Sequence, residues 1–266
     1  MKIVCLNAWG GKLAHNLLPW LAELQPDILC LQEVTHTPLS DQAILYYRDA
    51  GAELLQSANL FSEIKAVLPR HFAMFCPSAE GSLWHGDTKV SSQFGIATFV
   101  RSDLAIVAQA QAFVHKSYEP GGFGAHPRAR NAHVVRVCDG SNQRSITVAH
   151  MHGLYDPNGK MDTPERLAQV NQLRALIKTV AEPADLQMIC GDFNVLPQSE
   201  TLLILRDDCL TELVTSRGFQ STRTSHYPKP GKFADYMLVN NVAAIKSFDV
   251  IYNPEVSDHC PLVLEI

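Results

Sequence analysis

Apolar residues come along the chain mainly as short, nearly continuous runs that stop at polar residues, the pattern of strands buried on both faces. Lys2 to Asn7 and Ile28 to Glu33 are the first two such runs. Between them Leu17, Leu21 and Leu24 have helical spacing, with Asn16 as the expected N-cap and Pro19 in the first turn. Residues 41–68 read as mostly helical, His71 to Cys76 as a strand, and Ser78 to Ser92 as a polar surface loop. Strands follow at Phe94 to Val100, Leu104 to Val114, Arg130 to Cys138 and Arg144 to His150, the last two joined by a hairpin turn over Asp139-Gly140-Ser141-Asn142. So many strands in succession require an antiparallel portion, which rules out a simple alternation of strand and helix.

Thr163-Pro164-Glu165 opens a helix with a capping hydroxyl, a proline in first position and an acid in the first turn. Leu167, Val170, Leu173, Ile177 and Val180 form its apolar stripe. The run Leu186 to Cys190 then stops at Gly191-Asp192-Phe193-Asn194. A short helix is expected over Ser199 to Arg206, a locally basic loop over Thr215 to Lys232, and strands at Phe233 to Val239 and Cys260 to Ile266.

Five of these runs carry polar residues at or near an end: Asn7, Glu33, His150, Asp192 with Asn194, and Asp258 with His259; Asp235 lies near the start of a sixth. Asp192 and Asn194, two apart in extended chain, point to the same side. A carboxylate there can take a proton from water while the amide donates to a developing negative oxygen. Singly, each residue reads as well as a turn or a solvated strand end. Together, glutamate and aspartates suit a hard divalent cation such as Mg²⁺, and the histidines suit contact with a phosphoryl group, which are the parts needed for metal-assisted phosphoester hydrolysis.

Composition narrows this picture. The 266 residues, 46% of them hydrophobic, supply a sizeable core, and no linker-like tract divides them, so one domain over 1–266 is expected. A net charge of −5 and a pI of ≈ 6.1 argue against a broadly basic nucleic-acid surface. The seven cysteines are dispersed with no C-x-x-C pair, which reads as buried reduced thiols. No run reaches transmembrane length and the chain opens directly into a strand, so a cytoplasmic location is expected.

The chain resembles the endonuclease/exonuclease/phosphatase superfamily, the DNase-like Mg²⁺-dependent phosphoesterases, from Asn7 to His259. The motifs that carry the resemblance are Leu6-Asn7, Leu31-Gln32-Glu33-Val34, Val148-Ala149-His150, Gly191-Asp192-Phe193-Asn194, Ala234-Asp235-Tyr236 and Ser257-Asp258-His259, in that order. The resemblance implies an α/β fold, a four-layer sandwich of two mixed β-sheets flanked by helices. It implies a Mg²⁺ ion, or Mn²⁺ in its place, held by Glu33 with Asn7 and Asp258 nearby. Asp192 would position or deprotonate the attacking water, Asn194 would orient it or bind a phosphoryl oxygen, and His259, held by Asp235, would stabilise the pentavalent phosphorus. His150 matches the position where DNase-like, sphingomyelinase-like and inositol-phosphatase branches carry histidine and the abasic-site endonucleases carry tyrosine, which counts against abasic-site repair.

The superfamily is specific for phosphoesters and unspecific for substrate. A small molecule or lipid headgroup is favoured by the acidic charge; DNA or RNA is the alternative, favoured by the basic loop with Arg217, Arg223, His226, Lys229 and Lys232. An inactive binding module would show a broken motif, and none is broken. His152 reads either as a substrate contact or as a hydrogen-bonded surface residue. Arg128, Arg130, Lys160, Arg166, Arg223 and Lys229 read either as anion contacts or as solvated side chains, and Trp9, Trp84 and Tyr227 as stacking platforms or rim packing.

Overall fold

The structure, a computed structural model, describes residues 1–49, 51–140 and 144–266. The first apolar run forms β1 (Lys2–Asn7); a 3-10 turn at Trp9–Gly11 and α1 (Ala14–Leu24) then cross back to β2 (Ile28–His36), parallel to β1. β3 (Ile44–Asp49), β4 (Ala52–Ser57), α2 (Leu60–Val67), β5 (His71–His85) and β6 (Thr88–Arg101) follow. β7 (Ala105–His115) and β8 (Arg130–Asp139) lead to β9 (Arg144–His152), and α3 (Pro164–Lys178) crosses back to β10 (Leu186–Asp192), parallel to β9. The chain closes with α4 (Glu200–Asp207), β11 (Thr211–Glu212), α5 (Leu213–Ser216), β12 (Asp235–Val239), β13 (Ser247–Val250) and β14 (Leu262–Glu265).

The strands form two mixed sheets, ordered β13-β14-β1-β2-β6-β5-β3-β4 and β11-β12-β10-β9-β8-β7. In each, the one parallel pair lies inside the sheet and every other pairing is antiparallel. The alternation of side chains explains the layers. Ile3, Cys5, Ile28 and Cys30 face the second sheet and pack on Val148, Met188, Cys190 and Met237. Val4, Leu6, Leu29 and Leu31 face outward onto Leu17 and Leu21 of α1 and Leu60 and Ile64 of α2. On the far side Ala149, Met151 and Ile189 are covered by Val170, Leu173 and Ile177 of α3 and Leu202 of α4. The chain is therefore the expected four-layer sandwich, helix on sheet on sheet on helix. Truncating a fully buried side chain such as Leu31 to alanine would cost about 2–5 kcal/mol.

Several expectations fail at the periphery. Ile44–Asp49 and Ala52–Ser57 pair as antiparallel strands, and among the described residues only Leu60–Val67 of the supposed helical stretch is helix. Ser78 to Ser92 is no loop: it continues β5 and β6 into a long ribbon in which Ala79, Gly81 and Leu83 turn inward and Ser82 outward. Asn16 lies inside α1 and donates to the Glu255 carbonyl instead of capping. Leu167, at 39% exposure, drops out of the α3 stripe, whereas the Thr163 cap accepts from Arg166 N as read. Of the Asp139–Asn142 hairpin turn, Ser141 and Asn142 lie outside the described residues. All seven cysteines are free thiols, but Cys209 is exposed and Cys138 half-buried. Among the described residues no helix is long and apolar enough to cross a membrane.

Candidate active site

The carboxyl ends of both parallel pairs open at one end of the gap between the sheets, where a cleft of ≈ 280 Å³ is lined by Glu33, His152, Asp192, Asn194, Arg223, Asp258 and His259. Register builds its floor. Across the second sheet Asp192 pairs with His152 on β9 and with Asp235 on β12, so three polar groups stand in one row. Two glycines allow the strand ends to close up. Gly191 has φ +147°, and a Cβ there would run into the Met151 carbonyl; a Cβ at Gly153 would meet the Phe193 carbonyl.

Asp192 is held from two sides. Its Oδ2 accepts from Asn7 Nδ2 at 3.0 Å and its Oδ1 from the Asn194 backbone N–H at 3.0 Å. Asn194, with φ +54°, also donates through Nδ2 to the Gly153 carbonyl at 3.3 Å. The Asn7 amide donates to Glu33 Oε1 as well, at 3.1 Å, while its Oδ1 accepts from Trp9 N–H at 3.0 Å. Carboxylates only accept, so the amide nitrogen must face them. Asn7, expected beside a metal as a ligand, thus has both ends engaged and braces two carboxylates.

Glu33 does not end its strand. β2 runs on to His36, and the register slips between Leu31 and Val34. Glu33 takes φ +55° at that bulge, which turns its carboxylate into the cleft, 27% exposed. Burial and the negative charges of Asp258 and Asp192 raise its pKa to about 7 against the Asn7 hydrogen bond.

His259 sits at the junction of the sheets. Its Nδ1 is 2.8 Å from both oxygens of Asp235, so Nδ1–H donates to the carboxylate and Nε2 keeps its lone pair. That lone pair accepts from Arg223 Nη1, which also donates to Asp258 Oδ2 at 3.0 Å. Burial and the Arg223 charge push the His259 pKa down to about 4, and burial pushes Asp235 up to about 6. Ser257 Oγ donates to the Asn7 carbonyl at 2.7 Å and ties this segment to β1.

The two histidines of β9 lie at different depths. His150, expected in the reacting set, lies one row deeper, opposite Cys190, with Nδ1 3.3 Å from Gln32 and Nε2 2.8 Å from Thr98. It lines no part of the cleft. β9 runs two residues further than read, and His152 reaches the cleft with Nε2 3.8 Å from both Glu33 Oε1 and Asp192 Oδ2. Burial and the charge of Arg130 hold its pKa well below the ordinary histidine value.

Of the basic side chains, Arg223 is buried at the centre and not on an outlying clamp. Arg130 is buried in the same cleft, donating to the Gly153 carbonyl at 3.0 Å, and burial lowers its pKa to about 10. Lys229 is exposed on the cleft wall, and Lys160 lines it while donating to the Phe233 carbonyl. Tyr47, Gln56, Phe123 and Tyr155, which the sequence did not point to, line the same cleft.

Comparison with known proteins bears on what such a cleft is. The sequence profile of the Endonuclease/Exonuclease/phosphatase family matches residues 4–259. The chain belongs to this family. Endonuclease/exonuclease/phosphatase proteins are in general hydrolytic phosphoesterases that use divalent metals. No curated protein sequence matches significantly. Among solved structures, a family protein from Bacteroides thetaiotaomicron has 13% identity and a TM-score of 0.67, covering 99% of this chain and 96% of that one. A mannosyl-6-phosphatase from the same organism gives 13%, 0.67, 100% and 98%. The human Nocturnin catalytic domain with bound sulfate gives 16%, 0.66, 99% and 92%. At such identities the likeness shows the fold.

The donor set fits a hard cation. Glu33, Asp192 and Asp258 converge with oxygen ligands alone, and after burial the charges of Asp258 and Asp192 add to the rise in the Glu33 pKa. Another grouping of possible ligands among the described residues, Asp192, Asp235 and His259, has atoms within 4.8 Å of one another. Both Asp235 oxygens are committed to His259, however, and its side chain is 3% exposed against 27% for Glu33. The open carboxylates lie on the Glu33 side.

Proposed function

We propose that residues 1–266 act as one catalytic domain, a divalent-cation-dependent hydrolase of a small phosphoester in which water attacks phosphorus in line. The observation that carries this reading is the convergence of Asp192, braced by Asn7 and Asn194, with Glu33, Asp258 and the Asp235–His259–Arg223 chain in one cleft. Glu33 and Asp258 would hold Mg²⁺ or Mn²⁺, which when bound neutralises phosphoryl oxygens and polarises the ester.

In this reading Asp192 Oδ2 takes the proton of the attacking water, with the Asn7 and Asn194 donors keeping the carboxylate in place. The remaining Nδ2–H of Asn194 serves a phosphoryl oxygen. His259 in the free protein is a neutral relay: Asp235 fixes its tautomer, and its Nε2 directs the Arg223 guanidinium. Arg223 and Arg130 supply fixed positive charge for the charge that builds on phosphoryl oxygens. His152 replaces His150 as the histidine of the reacting set.

A cleft of this size, on a chain of net charge −5, favours a small substrate over a duplex. A panel of nucleotides, sugar phosphates, phospholipids and nucleic acids, assayed with Mg²⁺ and with EDTA, tests the assignment. Cation-dependent release from small phosphoesters is expected; activity on polymeric nucleic acid alone would move it to the nuclease reading, and none anywhere would remove it.

A further inference from the structure

The cleft has an arm that the chemistry above does not use. Beyond Arg130 its walls come from the β3–β4 hairpin, the segment from Phe123 to Arg128 and Tyr155. Two aromatic pairs stand there: Tyr47 with Phe123, centroids 5.6 Å apart, and His126 with Tyr155, 5.1 Å apart. Arg128 lies over the Tyr47 ring, 5.5 Å from its centroid, and donates to Asp49 Oδ2 at 2.8 Å. Gln56 lines the same space, its carboxamide packed against Gly10.

Resting on the phosphoester reading, we propose that this arm takes a planar heteroaromatic ring on the non-phosphoryl side of the substrate, so that the substrate is a ring-bearing, mononucleotide-sized phosphoester. Continuity places the ring: one cleft runs from Asp192 and His259 to Tyr47 and Phe123, so a phosphoryl group at the first has room to send its ester substituent to the second. Aromatic faces and a guanidinium plane select a flat partner over a branched or flexible one. Polarity selects a heterocycle over a hydrocarbon. A hydrocarbon chain would cover the polar side chains of this lining, Gln56 and Arg128 among them, and return no hydrogen bond, whereas ring nitrogens and exocyclic groups offer partners.

Calorimetric titration of adenosine 5′-monophosphate, ribose 5-phosphate and octyl phosphate isolates the ring. Measurements use Asp192→Asn with Mg²⁺, and the wild-type chain with EDTA in case that variant fails to fold. The ring should tighten binding about 5- to 100-fold over ribose 5-phosphate, the range of one stacked base. Phe123→Ala, and separately the more exposed Tyr155→Ala, should bring that ratio toward one. Equal affinity for the first two ligands, or octyl phosphate binding as tightly as the nucleotide, would overturn the inference and leave the phosphoesterase reading standing if small phosphoesters are still hydrolysed. Absence of binding by any phosphate ligand would remove both.

Discussion

Glu33 concentrates the electrostatic argument. Its carboxyl is half-buried beside two other carboxylates, so its pKa in the folded chain, about 7, lies above the ordinary 4.5. A raised folded pKa means that the native state binds the proton more tightly than the unfolded state. The stability this gives is complete below about pH 4.5 and is lost as pH rises through about 7. In EDTA at pH 8, Glu33→Gln should therefore be more stable than the wild type by about 1–3 kcal/mol, discounted for partial exposure, and the difference should vanish near pH 4.5. Added Mg²⁺ should restore the wild type and not the variant. Urea denaturation at both pH values checks this; a variant less stable at pH 8 would show that the carboxylates do not repel. Asp192→Asn should keep the fold by circular dichroism and lower turnover about 10²–10⁴-fold on every substrate. Most of these residues were legible because they stop apolar runs. The choice between His150 and His152 was not, because it depends on β9 extending by two residues and on Cys190, not Asp192, standing opposite His150.

At the scale of elements, the parallel pairs β1–β2 and β9–β10 were legible as unbroken apolar runs, since burial on both faces removes polar positions from them. The hairpin at 44–57 and the ribbon at 78–92 were not. They are peripheral strands, with Arg48, Glu53 and Ser82 on the solvent side, and only tertiary pairing identifies them. The unread hairpin hid Tyr47 and Gln56, and with them one wall of the cleft. Convergence of β9 and β10 depends on Gly191, whose φ of +147° an alanine cannot adopt without strain and whose Cβ would press on the Met151 carbonyl. Gly191→Ala should cost about 1–3 kcal/mol and depress turnover further by separating His152 from Asp192. Gly140→Ala, with nothing within 4 Å, is the control. Chemical denaturation and steady-state assays of both variants test this; equal behaviour would mean that the strand ends need no such closeness.

For the whole molecule, six motifs in order made the family legible, while substrate choice was not, because it lies in the arm built by edge elements. Net charge −5 with basic side chains gathered inside the cleft suits a compact anion. The slope of log kcat/KM against log salt should accordingly stay near or below about one charge's worth, where a duplex contributes about −0.9 for each phosphate neutralised. A steep slope with an oligonucleotide substrate would favour the nuclease reading.

The most direct test of the central claim is hydrolysis of a small phosphoester in ¹⁸O-labelled water, followed by mass analysis of both products, with Mg²⁺ and with EDTA. The account predicts that the label enters the phosphoryl product, that EDTA abolishes the reaction, and that Asp192→Asn loses it. Label in the alcohol, or a reaction indifferent to EDTA, would contradict it.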